Sequence, residues 1–444
     1  MVNILFISYE FPPLKKGGVF RPLGFCESLV SSKYNPVVIT VSKDCWQREG
    51  QNLDFGLGVE TRKKLDIIEI QKNSNLLSSK SSIQQKITLF FSPNGREKLS
   101  WQKQFRLKIP EIIAIHQPKV IFVTAPPFSI IDLAINIKRE FNIPLVIDLR
   151  DAWSNWFTAP YHSFFHYTWV RRKESKALRL ADKIITTSKQ TEKDLKKLNS
   201  YVDKKKFVYI PNGYDGNLSK WNVLSKKNKI VVGYVGSFYY SPEQRQNMVS
   251  SWWERKGYRK LSYIPNKQDW LYRSPYFFFK MLSQLISNEP DYKNIIQIKF
   301  AGRKEKWFDD MVKKFKLESL VKHIGLLNHQ DSMAFQGKCD ALFLTSSKVI
   351  NGRDYSIAGK TFEYIKNLKP IIACTSEGAQ TDLLMKTGVA IHLNPDDISN
   401  GVEKLKKLLD GQIKLTPNYK FINSLSRFNC TLKLIDIFDD ILKK

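Results

Sequence analysis

The stretch from Gly359 to Ile372 constrains the fold of this chain more than any other. Phe362 and Ile365 lie three residues apart, as on the buried face of a helix, and Pro370 prevents that helix from continuing. After Pro370 the stretch ends in an apolar run. Another apolar run, at residues 341–345, precedes the stretch, and a polar loop separates it from the predicted helix. Strand, loop, helix and strand in this order form the repeating unit of a parallel sheet, so we predict an α/β fold.

Lys360 and Glu363 fall in the first turn of the predicted helix and lie on one flank of it. Ligands of parallel sheets bind beyond the carboxyl ends of the strands, which is where this first turn must lie. A carboxylate suits a ribose diol, whereas an ammonium and the free N–H groups of a helix N-terminus suit phosphate. The pair therefore favours a sugar-phosphate ligand. The alternative is a solvent-exposed Lys–Glu pair that binds nothing.

Composition limits the class of protein. A chain of 444 residues, of which 42% are hydrophobic, is long enough for two or three domains. Its net charge of +29 indicates an anionic partner: nucleic acid, an anionic membrane or a phosphorylated substrate. The five cysteines lack metal-ligand spacing, so we expect neither a disulfide framework nor a zinc site. We also expect no signal peptide and no transmembrane helix, because the chain enters a strand pattern at once and its longest apolar region, residues 120–137, is interrupted.

Two loops in the first half of the chain stand where a site is expected. Gly17–Gly18 follows the first buried strand, and paired glycines let a backbone approach a ligand, although this is not the G-x-G-x-x-G of a dinucleotide-binding turn. Arg150 and Asp151 follow the strand at residues 145–148, at the end where ligands bind. The alternatives are an ordinary turn for the glycines and a loop-organising salt bridge for Arg150.

The second half restarts the βα pattern after a polar, lysine-rich stretch at residues 218–229. There a buried strand leads to the small-residue turn Gly236–Ser237. Residues 239–275 then interrupt the pattern with aromatic and basic side chains, and a connection of this length is expected to be functional. The tail at residues 428–442 predicts a closing amphipathic helix.

Basic and aromatic residues are interleaved from Lys80 to Lys108. This pattern suits an interfacial helix that lies on an anionic membrane. The alternative is a core-facing helix with a solvated basic side. We predict that this segment and Tyr239–Arg273 dock the protein on an anionic membrane.

Four segments follow one another in order along the chain. They are the Ile4–Tyr9 strand with Pro12–Pro13 and Gly17–Gly18, Ala181–Ser188, Ile210–Asp215, and Phe362–Tyr364 through Ala373. Together they resemble the landmarks of the retaining GT-B glycosyltransferases, specifically of family 4, over nearly the whole chain. The segment Asp148–Trp153 resembles the corresponding segment in the branch of that family that makes bacterial surface polysaccharides.

The resemblance implies two Rossmann-like domains that face each other across a cleft. The first, residues 1–217, would bind the acceptor and would be completed by the C-terminal helix at residues 428–442. The second, residues 218–427, would bind the nucleotide-sugar and would carry the insertion at residues 239–275.

The resemblance also implies roles for single residues. Glu363 would hold the ribose hydroxyls, Gly236–Ser237 and Lys360 would lie by the diphosphate, and Gly17–Gly18 would pack against the donor from the first domain. Family members need neither a bound metal nor another cofactor, so cations and helix termini must neutralise the departing diphosphate. The anomeric centre becomes oxocarbenium-like, the diphosphate accepts the acceptor's proton on the same face, and configuration is retained.

The chain departs from the family pattern in three places. The first of the two family glutamates is absent, since its position holds the tyrosine of Asp354–Tyr355. The insertion displaces the usual Arg and Lys after the first strand of the second domain, so Arg245 or Arg273 is expected to replace one of them. The usual histidine of the first domain is not at its expected position, which leaves Asp151 as the nearest polar candidate, and Asp151 and Arg150 as the predicted catalytic residues.

These observations predict a retaining hexosyltransferase of the cytoplasm, peripheral on the inner face of the cell membrane, that acts in cell-surface polysaccharide synthesis. It would move a sugar from a nucleotide-sugar donor to a lipid-linked or growing saccharide. Its partners would be the donor, the acceptor and an anionic membrane surface, not nucleic acid. One alternative is a nucleotide-sugar epimerase of the same fold. Another is a non-catalytic protein that binds anionic surfaces or nucleic acid through its charge.

Overall fold

The computed structural model describes residues 1–72, 96–156, 161–224, 229–254 and 260–443. The chain divides into two compact units. A short piece of the insertion packs with the first unit, and the C-terminal segment returns to it. The first unit comprises Met1–Asp215, Leu261–Tyr263 and Arg427–Lys444, and the second comprises Gly216–Lys260 and Ile264–Ser426.

The first unit is built on a seven-stranded parallel sheet with the strand order β3-β2-β1-β4-β5-β6-β7. Its central strands β4 and β5 are buried throughout, which is why they read as unbroken apolar runs. The strands are β1 (Val2–Ser8), β2 (Tyr34–Val41), β3 (Asp66–Ile70), β4 (Val120–Ala125), β5 (Leu145–Leu149), β6 (Lys183–Thr186) and β7 (Phe207–Tyr209). The described helices are α1 (Phe20–Leu29), α2 (Lys43–Arg48), α3 (Val59–Arg62), α4 (Arg96–His116), α5 (Ser129–Phe141), α6 (Phe164–Leu180), α7 (Lys189–Leu198) and the C-terminal α17 (Arg427–Leu442).

The second unit has a six-stranded parallel sheet with the order β11-β10-β8-β12-β14-β15, and β9 and β13 form a separate antiparallel pair. Its strands are β8 (Ile230–Val235), β9 (Gln268–Asp269), β10 (Ile296–Ala301), β11 (Val321–Gly325), β12 (Ala341–Thr345), β13 (Lys348–Val349), β14 (Ile371–Cys374) and β15 (Ala390–Leu393). The described helices are α8 (Pro242–Val249), α9 (Tyr276–Asn288), α10 (Tyr292–Ile295), α11 (Phe308–Lys314), α12 (His329–Lys338), α13 (Gly359–Lys366), α14 (Ala379–Thr387), α15 (Ile398–Leu409) and α16 (Tyr419–Asn423).

The α/β prediction is confirmed, with two parallel sheets. Helix α6 begins at Phe164, because the Ser163 side chain caps it by accepting a hydrogen bond from the His166 backbone N–H at 3.1 Å. The aromatic residues of the first turns obscure the helical period in the sequence.

The described part of the segment Lys80–Lys108 belongs to α4. Its Trp101 and Phe105 are fully buried, with ring centroids 5.3 Å apart, in the core of the first unit. The core-facing alternative is therefore correct for these two aromatic residues, and they are not available to a membrane. Residues 80–95 of the segment lie outside the described residues.

All five cysteines are buried and free. In the part of the chain that the structure describes, no helix is both long and apolar enough to cross a lipid bilayer.

A buried ion pair joins α1 to the carboxyl end of β5. The Arg21 Nη2 and Nε donate to the two Asp148 carboxylate oxygens at 2.8 and 3.0 Å, and both side chains are almost fully buried. The other guanidinium bonds go to the Ile210 and Pro211 carbonyls, at 3.1 and 2.8 Å. Asp148 also accepts from the Thr124 hydroxyl at 2.8 Å. One guanidinium thus fixes the carboxyl ends of β4, β5 and β7 together.

We expect Arg21→Met to lower the free energy of unfolding by about 3–5 kcal/mol, because Asp148 would stay buried without its cation. Lys173→Met is the matched control, since Lys173 pairs with Asp132 at 3.1 Å on the surface and such pairs contribute about 0–1 kcal/mol. Urea unfolding of both variants measures the difference. Equal effects of the two substitutions would show that the buried pair does not hold this edge of the sheet.

Candidate functional site

Glycines line the carboxyl edge of the sheet in the second unit. Gly236 follows β8 with a φ of +115°, and Gly302 follows β10 with a φ of +149°, in a region that side chains disfavour. The Gly236 N–H donates to the Ala301 carbonyl at 2.8 Å. A Cβ on Gly302 would lie 2.3 Å from the Gly236 carbonyl oxygen. The two strand ends therefore meet backbone to backbone.

Lys360, in the first turn of α13, brings its ammonium to this edge. Its Nζ lies 3.9 Å from the ring centre of Tyr234 and 2.7 Å from the position that a Cβ on Gly236 would occupy. Burial, and then the positive charge of Arg273, lower the pKa of Lys360 to about 7, against an opposing effect of Glu363. An anion bound beside Lys360 would stabilise its charged form.

Arg273 and Arg245, the two candidates for the displaced diphosphate-binding cation, have different surroundings. Arg245 donates to both carboxylate oxygens of Asp269 at 2.7 Å, so its charge is matched within the protein. The Arg273 guanidinium lies 4.9 Å from the ring centre of Tyr239, and its positive charge contributes to the lowered pKa of Lys360. Of the two, Arg273 is the one whose charge acts on Lys360, by lowering the pKa of its amine.

Glu363 stands one turn further along α13 and is half-buried. Its Oε2 accepts a hydrogen bond from the Gln336 side-chain amide at 3.4 Å, and the Gln336 Oε1 accepts from the Asn367 side-chain amide at 2.8 Å. Among the described ion pairs, none joins Lys360 to Glu363. The alternative of a solvent-exposed Lys–Glu pair is therefore wrong for Lys360, whose ammonium packs on Tyr234 instead.

Two side chains fix the start of α13 against the sheet. The Tyr364 hydroxyl accepts from the Val235 N–H at 2.8 Å. The Gln380 Oε1 accepts from the Ala358 N–H and the Thr361 hydroxyl, each at 3.0 Å. The N-cap position of the helix, residue 358, makes no side-chain hydrogen bond to the helix. The first turn is thus rigidly placed, with its N-terminal end uncapped by a side chain.

Asp354 and Tyr355, at the position of the missing family glutamate, are both buried. The Asp354 carboxylate accepts from the Ser347 hydroxyl at 2.8 Å and from the Ser356 N–H and hydroxyl at 2.9 and 2.7 Å. Its hydrogen-bonding capacity is used within the loop. Ser237, on the other side of the edge, is half-buried, and its carbonyl accepts from the Tyr234 hydroxyl at 3.3 Å.

In the first unit, Arg150 holds two loops together. Its guanidinium donates to the carbonyls of Gly18 and Pro126, and its own carbonyl accepts from the Thr187 hydroxyl at 2.8 Å. A Cβ on Gly18 would lie 2.5 Å from the Arg150 Nη1, whereas a Cβ on Gly17 would meet no atom within 4 Å. Gly18 is thus required by the packing of Arg150, and Gly17 borders open space.

Asp151 lies at the same carboxyl edge, half-buried. Burial raises the pKa of its carboxyl group, and the charge of Arg150 opposes this effect. Among the described residues, no hydrogen bond or ion pair engages the carboxylate. The alternative expectation is that Arg150 forms a salt bridge. Its guanidinium instead donates to backbone carbonyls, and in this way Arg150 positions the loop from which Asp151 projects.

The sequence did not reveal the residues that hold Lys360 and α13 in place in the second unit. Tyr234 occupies an inward position of an apolar strand and reads as core, and Gln380 belongs to a helix that carries no motif. Gly302 ends a strand and gives only the signal of a turn. Among the described residues, no group of His, Cys, Asp or Glu side chains is arranged to hold a metal ion.

Residues 77–217 match the family model described as Glycosyltransferase Family 4. No curated protein sequence gives a significant match. The fold is similar to that of the lipopolysaccharide outer core galactosyltransferase WaaB, with 11% identity over 98% of this chain and 99% of that chain and a TM-score of 0.60.

Two further solved structures are similar over nearly their full length. HepE from Anabaena, in complex with UDP, has 13% identity over 99% of this chain and 100% of that chain, with a TM-score of 0.55. A putative UDP-N-acetylglucosamine 2-epimerase from Listeria monocytogenes has 10% identity over 100% of this chain and 97% of that chain, with a TM-score of 0.52. The chain therefore has the GT-B fold, and its residues 77–217 carry the family 4 match.

We expect the Lys360 amine to titrate near pH 7, below the ordinary lysine value of about 10.4, because it is desolvated and lies near the positive charge of Arg273. Replacing the cation in Arg273→Gln should raise the pKa of Lys360. The measurement is the ¹³C shift of the lysine Cε against pH, with the signal assigned through Lys360→Met. A Lys360 signal that titrates at the ordinary lysine value of about 10.4 would contradict the buried geometry.

Proposed function

We propose that this protein is a glycosyltransferase that moves a sugar from a nucleotide-sugar donor to a saccharide acceptor. The observation that carries the proposal is the Lys360 ammonium at the glycine-lined edge of the second unit, 2.7 Å from the position of a Cβ on Gly236, with Glu363 one turn further along α13. The family 4 match and the GT-B fold support it.

The donor would be held at this edge through its nucleotide. The Glu363 carboxylate accepts hydrogen bonds from the ribose hydroxyls, as a ribose diol requires. The Gly236–Ser237 backbone lies beside the diphosphate, since a glycine lets the phosphate oxygens approach. Lys360, Arg273 and the N-terminal end of α13 neutralise the charge that develops on the diphosphate as the glycosidic bond breaks.

The transfer would proceed with retention of configuration. The bond from the anomeric carbon to the diphosphate oxygen breaks, and the carbon becomes oxocarbenium-like. The acceptor hydroxyl forms the new bond on the same face and gives its proton to the departing diphosphate. Asp151 belongs to the first unit, and its carboxylate, which the described residues leave without a hydrogen bond, would stabilise the positive charge that develops on the sugar.

The acceptor would be a lipid-linked or growing saccharide of cell-surface polysaccharide synthesis, and the sugar a hexose. The protein would then act in the cytoplasm, peripheral on the inner face of the cell membrane. The net charge of +29 supports an anionic membrane as the surface at which it meets the acceptor. This function does not involve nucleic acid as a partner.

A transfer assay separates this proposal from the epimerase. A panel of nucleotide-sugars is screened by thermal shift, and the stabilising donor is incubated with and without saccharide acceptors. A transferase releases nucleoside diphosphate in proportion to the acceptor consumed. Conversion of the donor into its epimer without any acceptor would identify an epimerase instead, and RNA binding without any donor binding would favour a non-catalytic binder.

We expect Glu363→Gln to weaken the binding of UDP by about 1–3 kcal/mol, because a charge-assisted hydrogen bond to the ribose is lost. Glu318→Gln, at an exposed position of the same unit, is the control and should change nothing. Calorimetric titration with UDP measures both, and near-identical melting temperatures establish that both variants fold. If UDP does not bind the wild type, the nucleoside diphosphate of the stabilising donor takes its place. An unchanged affinity of Glu363→Gln would remove Glu363 from the site.

We expect Asp151→Asn to lower kcat by at least about tenfold while donor affinity changes little, because the carboxylate acts on charge that exists only in the transition state. Asp132→Asn, which alters a surface carboxylate of the same unit, is the control. Steady-state kinetics and donor titration measure the two quantities. Equal losses of kcat and thermal stability would instead assign Asp151 to the structure of the loop.

A further inference from the structure

The exposed face of α6 forms a single stripe with two chemically different halves. The stripe advances by alternating steps of four and three residues, which is the spacing of one helix face. Its first two members are apolar, with Phe165 85% and Trp169 39% exposed, and its last three are the exposed cations Arg172, Lys176 and Arg179. From Phe165 to Arg179 the stripe is about 21 Å long.

The apolar half is wider than the helix itself. Phe164 is 57% exposed beside Phe165, and the insertion contributes Leu261, which is 68% exposed. The insertion is held here because Tyr263 and Tyr161 exchange backbone hydrogen bonds at 2.9 and 2.8 Å. The Tyr263 ring packs 5.2 Å from that of Phe164. Four large apolar side chains are therefore exposed on a well-packed aromatic base within the first unit.

The cationic half carries charge that the described residues do not neutralise. Among the described ion pairs, none involves Arg172, Lys176 or Arg179. Arg172 and Arg179 border a shallow groove whose wall also includes Ser175 and Tyr201, whose hydroxyls donate to the Asn199 side-chain oxygen at 2.7 and 3.3 Å. The guanidinium groups are therefore the donors at this groove that suit phosphate oxygens.

We infer that α6 docks the protein on an anionic lipid bilayer. Phe164, Phe165, Trp169 and Leu261 enter the interface, and Arg172, Lys176 and Arg179 bind the phosphate headgroups. The complementary charge and the large exposed apolar area next to it favour a membrane over nucleic acid, which offers charge without an apolar layer. A helix that lies in the plane of the interface brings the whole stripe to it.

The position of α6 in the fold connects this surface with the acceptor. A helix between two parallel strands begins near the carboxyl edge of the sheet, and α6 connects β5 to β6. Its apolar end therefore starts at the edge where Asp151 follows β5. This inference rests on the proposed function in one respect: a lipid-linked acceptor would be presented at that edge when α6 lies on the membrane.

Cosedimentation of the full chain with vesicles tests the inference. The vesicles are an equimolar mixture of phosphatidylglycerol and phosphatidylcholine, with pure phosphatidylcholine as the neutral reference. Reversal of all three cations, in Arg172→Glu, Lys176→Glu and Arg179→Glu together, should weaken binding to the anionic vesicles by about a hundredfold or more. The double variant Phe165→Ser, Trp169→Ser should weaken it by about tenfold.

Matched controls lie in the second unit. Reversal of three exposed lysines there, Lys322, Lys338 and Lys386, changes the net charge equally, and Trp252→Ser with Trp253→Ser removes two indoles that are 62% and 63% exposed. Both controls should retain most of the binding to vesicles. This expectation differs from the sequence-based prediction for Tyr239–Arg273, because the inferred surface takes only Leu261 from that segment. All variants should bind the nucleoside diphosphate like the wild type, which establishes that they fold.

Four results would overturn the inference. Loss of vesicle binding only in the Trp252 and Trp253 variant would move the docking surface to the insertion. A wild type that transfers sugar to a water-soluble acceptor but ignores anionic vesicles would leave the transferase without a membrane surface. A change from dimer to monomer in the Phe165 and Trp169 variant, with lipid binding intact, would assign the face to a second copy. Loss of duplex-oligonucleotide binding alone on charge reversal would assign the face to nucleic acid.

Discussion

The buried pair of Arg21 and Asp148 is the interaction on which the first unit depends. Burying two charges is costly, and it is tolerated here because each partner is saturated with hydrogen bonds. Those bonds reach β4, the segment after β7, and α1 as well as β5. The carboxyl edge of the sheet is thereby fixed as one piece, and the loops with Arg150 and Asp151 extend from that edge.

The second unit fixes its own carboxyl edge with neutral groups. The Tyr364 hydroxyl and the Gln380 amide tie α13 to the ends of β8 and β12. This arrangement leaves the Lys360 amine poorly solvated, which lowers its pKa and disfavours its charged form. A desolvation cost of this kind is typical of binding sites, because an anionic ligand offsets it.

The sequence was informative where one residue pattern has one structural meaning. Buried parallel strands appear as unbroken apolar runs, so both sheets, and α13 with the strands on either side of it, could be predicted from the sequence. It was uninformative about partners that are distant along the chain. Nothing local distinguishes Arg245, which Asp269 neutralises, from Arg273, which faces Lys360.

The basic and aromatic pattern was the most ambiguous signal, because core packing and membrane binding select the same residue types. In α4 the pattern reflects the core, where Trp101 and Phe105 are buried. In α6 the aromatic and basic residues share one exposed stripe, and the capped start at Ser163 adds the turns that carry Phe165 and Trp169. Only burial, which requires the tertiary structure, separates the two cases.

The proposed function depends most on a nucleotide-sugar that binds at the start of α13. A crystal structure of the protein with bound UDP, or with the nucleoside diphosphate of its donor, tests this binding directly. We expect the ribose hydroxyls within hydrogen-bond distance of the Glu363 carboxylate and the diphosphate beside the Lys360 ammonium. A nucleotide bound elsewhere, with Lys360 still packed on Tyr234 and touching no phosphate, would contradict this expectation.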